Sequence, residues 1–128
     1  MAISGLDHIT LNTADVDASR GFYVDVLGLR DGDRPPFDSP GAWLYSGAQP
    51  IIHLVAGRGD GSASTGAVDH VALRATGLAG MITRLAAAGI DHEMFTVPGL
   101  GLKQIFIRDP DGVRIELTFD ASEEFPDS

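Results

Sequence analysis

The sequence predicts an α+β fold made of two βαβββ modules. Three observations predict it. An apolar/polar alternating segment occurs twice, as Leu6-Asp7-His8-Ile9-Thr10-Leu11 and Val68-Asp69-His70-Val71-Ala72-Leu73. Each copy is followed by a stretch of helical spacing that stops on a glycine. Each helix leads into three short strand candidates separated by turn residues.

The two histidines of the repeated strands are 62 residues apart. Alternation and β-branched content mark residues 6–11 and 68–73 as half-buried strands. In the first half, residues 14–28 hold a helix for which Asp15 is the N-cap candidate. Val16, Phe22, Tyr23, Val26 and Leu27 form its apolar stripe and Gly28 ends it. In the second half, residues 78–89 read as a helix of about three turns closed by Gly89. Strands are expected at residues 28–34, 42–46 and 50–56, and again at 90–96, 102–108 and 113–119. Pro35-Pro36, Ser46-Gly47, Pro98-Gly99 and Asp109-Pro110-Asp111-Gly112 supply the turns.

This gives one domain over residues 1–120. Module one spans 4–56, a Gly-rich flexible linker 57–66, and module two 67–119. Residues 121–128 form an acidic segment, expected to be a solvated, frayed end. A half of about 60 residues buries little surface alone, so the modules are expected to pack together or across a dimer.

The 128 residues are 44% hydrophobic, which is too apolar for a disordered chain. No apolar run approaches the ~20 residues needed to cross a bilayer, and the first residues lack the pattern of a secretory leader. A net charge of -9 repels phosphate backbones and anionic membranes, so nucleic acid and membrane are not expected partners. With no cysteine, any metal must sit on histidine and carboxylate; that absence fits the reducing cytosol and any other compartment, and the location expected is cytoplasmic.

Four residues stand out as metal-ligand candidates. His8 and His70 occupy the same place in the repeat. So do His53, in Ile51-Ile52-His53-Leu54-Val55, and Glu116, in Arg114-Ile115-Glu116-Leu117-Thr118, which are 63 residues apart. Each of the latter pair is polar between apolar neighbours, which in a strand sends it to the opposite face. The first and last strands of a small sheet can lie side by side, bringing these positions together. Three imidazoles and a carboxylate suit a divalent first-row ion. Any one of these histidines alone would read as structural; the paired repeat positions favour a metal site. His92 has no mate in the repeat and reads as structural or exposed.

These motifs resemble the vicinal oxygen chelate superfamily, which includes glyoxalase I, bleomycin resistance proteins and extradiol dioxygenases. The resemblance covers residues 4–119. It is carried by the two Asp-His strands, by Phe22-Tyr23-Val24-Asp25-Val26-Leu27-Gly28-Leu29, and by Asp109-Pro110-Asp111-Gly112-Val113-Arg114-Ile115-Glu116-Leu117. It implies a cup-shaped mixed sheet around a divalent ion (zinc, nickel, iron, manganese or cobalt) held by His8, His53, His70 and Glu116. His53 departs from glyoxalase I-like members, which commonly carry a carboxylate there. Short two-module members form dimers, which implies a homodimer with sites at its interface, such as His8 and His53 from one copy with His70 and Glu116 from the other.

The first functional expectation is a glyoxalase I-like lyase or isomerase acting on a small substrate with vicinal oxygens. The ion would stabilise an enediolate and Glu116 would carry the proton, with His53 as a further catalytic candidate. A second is a ring-cleaving dioxygenase on His8, His70 and Glu116, with His53 as an acid-base group beside them. A third is a small-molecule binding or resistance protein without catalysis. Trp43 and Phe37, with Tyr45 and Phe95, are candidates to line a pocket, the competing role being core filling. Lys103 is the first choice to anchor a substrate acid group, ahead of Arg108 and Arg34; the competing role is a solvated surface lysine.

Overall fold

The computed structural model describes residues 2–57 and 65–126. It divides into two compact units, Met1–Gly61 and Ser62–Ser128. The centre of the expected linker, residues 58–64, lies outside the described residues.

Unit one contains β1 (Ile9–Thr13), α1 (Val16–Gly21), a π-helical segment (Phe22–Val26), β2 (Arg30–Gly32), β3 (Gly41–Ser46) and β4 (Gln49–Ala56). The sheet order is β1-β4-β3-β2. β1 runs parallel to β4, and the other pairs are antiparallel. One face of the sheet is apolar: Leu11, Ala42, Leu44, Ile52 and Leu54 are buried there, together with Phe22 and Tyr23 of the helical layer. Burial of side chains of this size stabilises by ~1.5–3 kcal/mol each before chain entropy is subtracted. The opposite face carries His53 and Trp43, which sit directly across from one another on β4 and β3.

The first helix begins as expected. The Asp15 carboxylate accepts from the Ala18 amide and caps α1. It does not stay α-helical to Leu27. From Phe22 the turn widens, and the Leu27 amide donates to the Phe22 carbonyl at 3.1 Å. The added residue in this turn accommodates Phe22 and Tyr23, sequence neighbours that are both buried and meet edge to face with ring centres 5.1 Å apart. Gly28 then takes a positive φ of 83° and stops the segment.

Unit two repeats the plan with β5 (Val71–Arg74), α2 (Leu78–Ala87), β6 (Glu93–Thr96), β7 (Lys103–Arg108) and β8 (Arg114–Phe119). The order is β5-β8-β7-β6, with β5 parallel to β8. Its core comprises Leu78, Met81 and Leu85 of α2 with Ile105, Ile107, Ile115, Leu117 and Phe119 of the sheet. The turn before β8 is organised by Asp109, whose Oδ1 accepts from the Asp111 and Val113 amides at 2.9 Å each.

Two expectations need correction. The repeated strands start later than residues 6 and 68, because parallel pairing begins at Ile9 with Ile52 and at Val71 with Ile115. His8 and His70 therefore stand one residue before their strands. The acidic segment after residue 120 is also not simply a frayed end. The N-cap of α2 is Gly77, which offers no capping side chain, and the Glu123 carboxylate accepts from the Gly77 amide at 3.1 Å and the Leu78 amide at 2.8 Å. A carboxylate at a helix N-terminus satisfies orphan donors and opposes the positive end of the dipole.

Candidate metal centre

Each unit builds half of a donor set by the same device. The parallel pairing sets Thr10 beside His53 in unit one and Ala72 beside Glu116 in unit two. His8 and His70 lie two residues before Thr10 and Ala72, on the same side of their strands by alternation. The histidine that leads the first strand thus meets the polar residue of the last strand, twice.

In unit two, His70 Nε2 lies 3.3 Å from Glu116 Oε1, and the carboxylate is 9% exposed. Glu116 Oε2 accepts a hydrogen bond from the Thr118 hydroxyl. His70 Nδ1 is 2.7 Å from Asp69 Oδ2. A carboxylate there accepts a hydrogen bond from Nδ1–H and leaves the lone pair on Nε2, on the side of Glu116. Asp69 is in turn 3.0 Å from an Arg114 Nη, and this guanidinium covers the Phe106 ring at 4.1 Å. The hydrogen bond from His70, and then Arg114, hold the Asp69 carboxyl below its ordinary value.

Unit one repeats the orienting carboxylate: Asp7 Oδ2 is 2.7 Å from His8 Nδ1. His53 behaves differently. Its Nε2 is 3.0 Å from the Pro50 carbonyl, so this nitrogen carries the proton and donates it. Its ring is stacked between His8, at 3.7 Å and 11°, and Trp43, at 4.0 Å and 14°. Burial, and next the neighbouring His8, push the His53 pKa below the ordinary imidazole value, so the ring is neutral at pH 7.

The donors fit a divalent ion in part. His70 Nε2 and Glu116 Oε1 stand at a separation two ligands of one ion can have, and Asp7 orients the His8 ring as Asp69 orients His70. His53 does not fit as it stands. Parallel stacked rings cannot aim in-plane lone pairs at one point, and its Nε2 is committed to Pro50. Among the described residues, no three His or carboxylate side chains already converge.

Of the other site candidates, Trp43 and Phe37 come together, with ring centres 6.4 Å apart, and border an open pocket of about 440 Å³ in unit one that also includes His8 and His53. Tyr45 is elsewhere, donating to the Asp33 carbonyl and lying under Arg30. Phe95 packs edge-on to Phe106 in unit two. Lys103 is corrected on one reading: it is buried, and its ammonium donates to the Gly101 and Ala121 carbonyls, so it is not a solvated surface lysine. Arg108 donates to the Gly112 carbonyl. His92 bonds the Ile90 carbonyl, as a structural residue would. Sequence reading missed Phe106, although it lies 63 residues after Trp43 and faces Glu116 across the sheet as Trp43 faces His53. It also left Asp7 and Asp69 without a role, though they preceded the two histidines in plain view.

Residues 5–117 match the model of the Glyoxalase/Bleomycin resistance protein/Dioxygenase superfamily. The chain belongs to this superfamily. Within it, the chain is 31% identical over 119 residues to the uncharacterized protein YwbC of Bacillus subtilis, covering 87% of this chain and 94% of that one. It is 31% identical to the lactoylglutathione lyase of Salmonella typhimurium, over 86% and 88% of the two chains. A crystal structure of a putative glyoxalase family protein from Bacillus anthracis superposes with a TM-score of 0.78 at 21% identity, covering 94% and 98%. The superfamily fold and the two-sheet architecture agree.

Proposed function

We propose that the chain is a metal-dependent enzyme of this superfamily, acting as a lyase or isomerase on a small substrate with vicinal oxygens. The observation that carries the reading is the His70–Glu116 pair at 3.3 Å, with Asp69 fixing the histidine tautomer and Asp7 repeating the device on His8. His8, His70 and Glu116 are the donors with lone pairs available; His53 joins them only after releasing the Pro50 carbonyl.

A divalent ion held there would polarise the substrate oxygens and lower the cost of negative charge on them. The chain's own part is proton transfer. Glu116 is buried and acceptor-rich, and it takes a proton from the carbon beside a carbonyl and returns it to the adjacent carbon. The Thr118 hydroxyl holds Oε2 during this transfer and leaves Oε1 directed at His70. The working form is a homodimer: each unit carries its own donor pair, so a complete set can be drawn from unit one of one copy and unit two of the other. No helix among the described residues is long and apolar enough to cross a membrane.

A ring-cleaving dioxygenase is the second reading. It is favoured by the commitment of His53 to Pro50, which leaves a two-histidine, one-carboxylate set. The test is elemental analysis of the purified protein beside the His70→Ala, Glu116→Ala double variant. Near-stoichiometric metal that the variant loses supports an enzyme site; zinc or nickel with proton exchange and no oxygen uptake supports the isomerase, and iron with oxygen uptake on a catechol supports the dioxygenase. A protein that binds no ion after reconstitution overturns both and leaves a binding module.

A further inference from the structure

A guanidinium stands on the same face of β8 as Glu116. Arg114 lies two residues before the glutamate, and alternation along the strand sends both side chains away from the core residues Ile115 and Leu117. Its Cζ sits over the Phe106 ring at 4.1 Å, and one Nη donates to Asp69 Oδ2 at 3.0 Å. The same oxygen lies 2.7 Å from His70 Nδ1. That Nη is 3.5 Å from His70 Nδ1, too far to compete with the carboxylate, so Asp69 Oδ2 is the shared acceptor of an arginine and an imidazole. Phe106 closes the circuit by meeting the His70 ring edge to face, with centres 5.8 Å apart.

Asp69 gains from the second contact. Its side chain is 77% exposed, and an exposed carboxylate that bonds one imidazole gives up rotamer freedom and competes with water for that bond. Arg114 is only one-third exposed, and its flat guanidinium rests on Phe106. A cation pinned by a ring on one side narrows the positions open to the carboxylate on the other. Unit one supplies the contrast. The residue 63 positions before Arg114 is Ile51, as His53 is 63 before Glu116. Among the described residues, the ion pair of Asp7 is with His8 alone.

A cation beside a ligand also opposes a dication through space. Here Asp69 cancels most of that charge at 3.0 Å, so the ordering of His70 outweighs the repulsion. We infer that Arg114 is a positioning residue of the candidate metal centre: it holds Asp69 against His70 Nδ1, so that the unit-two donors are oriented before an ion arrives. The ion rests on the proposed function; the ordering of His70 does not.

The test compares the full-length native chain with Arg114→Met, Asp69→Asn and the double variant, with Arg114→Gln in place of Arg114→Met should the latter lower the urea midpoint. Long-range proton–nitrogen NMR spectra of chelator-treated protein at about pH 8, where imidazole is neutral, show which His70 nitrogen carries the proton. The native chain is expected to hold His70 as the Nδ1–H form, and Arg114→Met to show a mixture of the two tautomers. Zinc affinity, measured by competition against a chromophoric chelator, is expected to fall about threefold to fivefold in Arg114→Met. In the Asp69→Asn background the same change is expected to cost less than about twofold, because the arginine acts through the aspartate. An unchanged His70 tautomer, tighter zinc binding without the arginine, or a loss that adds in full to that of Asp69→Asn overturns the inference. A chain that takes up no zinc, nickel or iron, yet loses its single tautomer in Arg114→Met, would sink the enzyme reading and leave this one standing; metal uptake with an unaltered tautomer would do the reverse.

Discussion

Asp69 Oδ2 sits 2.7 Å from His70 Nδ1, and the same two atoms of Asp7 and His8 stand 2.7 Å apart 62 residues earlier. The repetition is informative because neither aspartate is buried enough to be required by packing: both are exposed. Both act on the ring beside them, fixing which nitrogen keeps its lone pair. The histidines just before β1 and β5 are thereby prepared as ligands, while His53, and His92 although Asp91 precedes it, are each bonded to a backbone carbonyl.

Asp69→Asn is accordingly expected to weaken metal binding by about 10–100-fold, the usual effect of losing such a partner. Asp7→Asn should act in the same direction. Competition against a chromophoric chelator measures it. Unchanged affinity in both variants would show that the Asp-His pairs are surface contacts without a role in holding an ion.

His53 and His8 should separate under the same substitution. His53→Phe keeps a flat ring between His8 and Trp43 and removes only the nitrogens, so metal affinity is expected to change by no more than about threefold, the scale of a surface contact. His8→Phe removes an oriented donor and is expected to cost at least about a hundredfold. Calorimetric metal titration of both variants decides the point. An equally large loss in His53→Phe would show that the ring leaves Pro50 and joins the ligands, as the resemblance to four-ligand members implied.

Glu123→Gln tests the helix cap that arrives from the C-terminal segment. The variant keeps an acceptor oxygen but loses the charge facing the first turn of α2, and Glu123→Ala loses both. Expected losses are ~0.5 kcal/mol for the first and ~1 kcal/mol for the second in urea denaturation. No loss in either variant would mean that the start of α2 is served equally well by water.

The modules, helices and turns were legible because each rests on local chemistry: Asp15 caps, Gly28 and Gly89 stop, and Asp109 shapes its turn. The equivalence of His8 with His70 and of His53 with Glu116 was legible from the period of the repeat. Other features were not, and the reasons are physical. The π turn at Phe22 answers to the joint burial of two adjacent rings, which periodicity along one helix cannot express. The burial of Lys103 depends on carbonyls of Gly101 and Ala121, the latter 18 residues away. Glu123 reaches α2 across 45 residues, so a local reading saw only an acidic end. The His53–Pro50 bond is local, but it reflects a ring orientation chosen by His8, just before β1, and Trp43 on β3.

Gly41 provides a test that joins fold to pocket. Its position at the start of β3 is opposite Val55, and a Cβ there would meet the Leu54 carbonyl oxygen at 2.2 Å and Arg34 Nη2 at 2.8 Å. The arginine can swing away; the backbone oxygen cannot move without breaking the β3–β4 pairing. Gly41→Ala is therefore expected to destabilise by ~1–3 kcal/mol, the range for overpacking a tight site. Because Arg34 lies over Phe37, the same change should loosen the contact of Phe37 with Trp43. Paired measurements of urea stability and Trp43 emission check both halves. A shifted emission with little loss of stability would mean that Arg34 alone yields and the strands absorb the methyl group. Full stability with native emission would contradict the close approach of the two strands at this glycine.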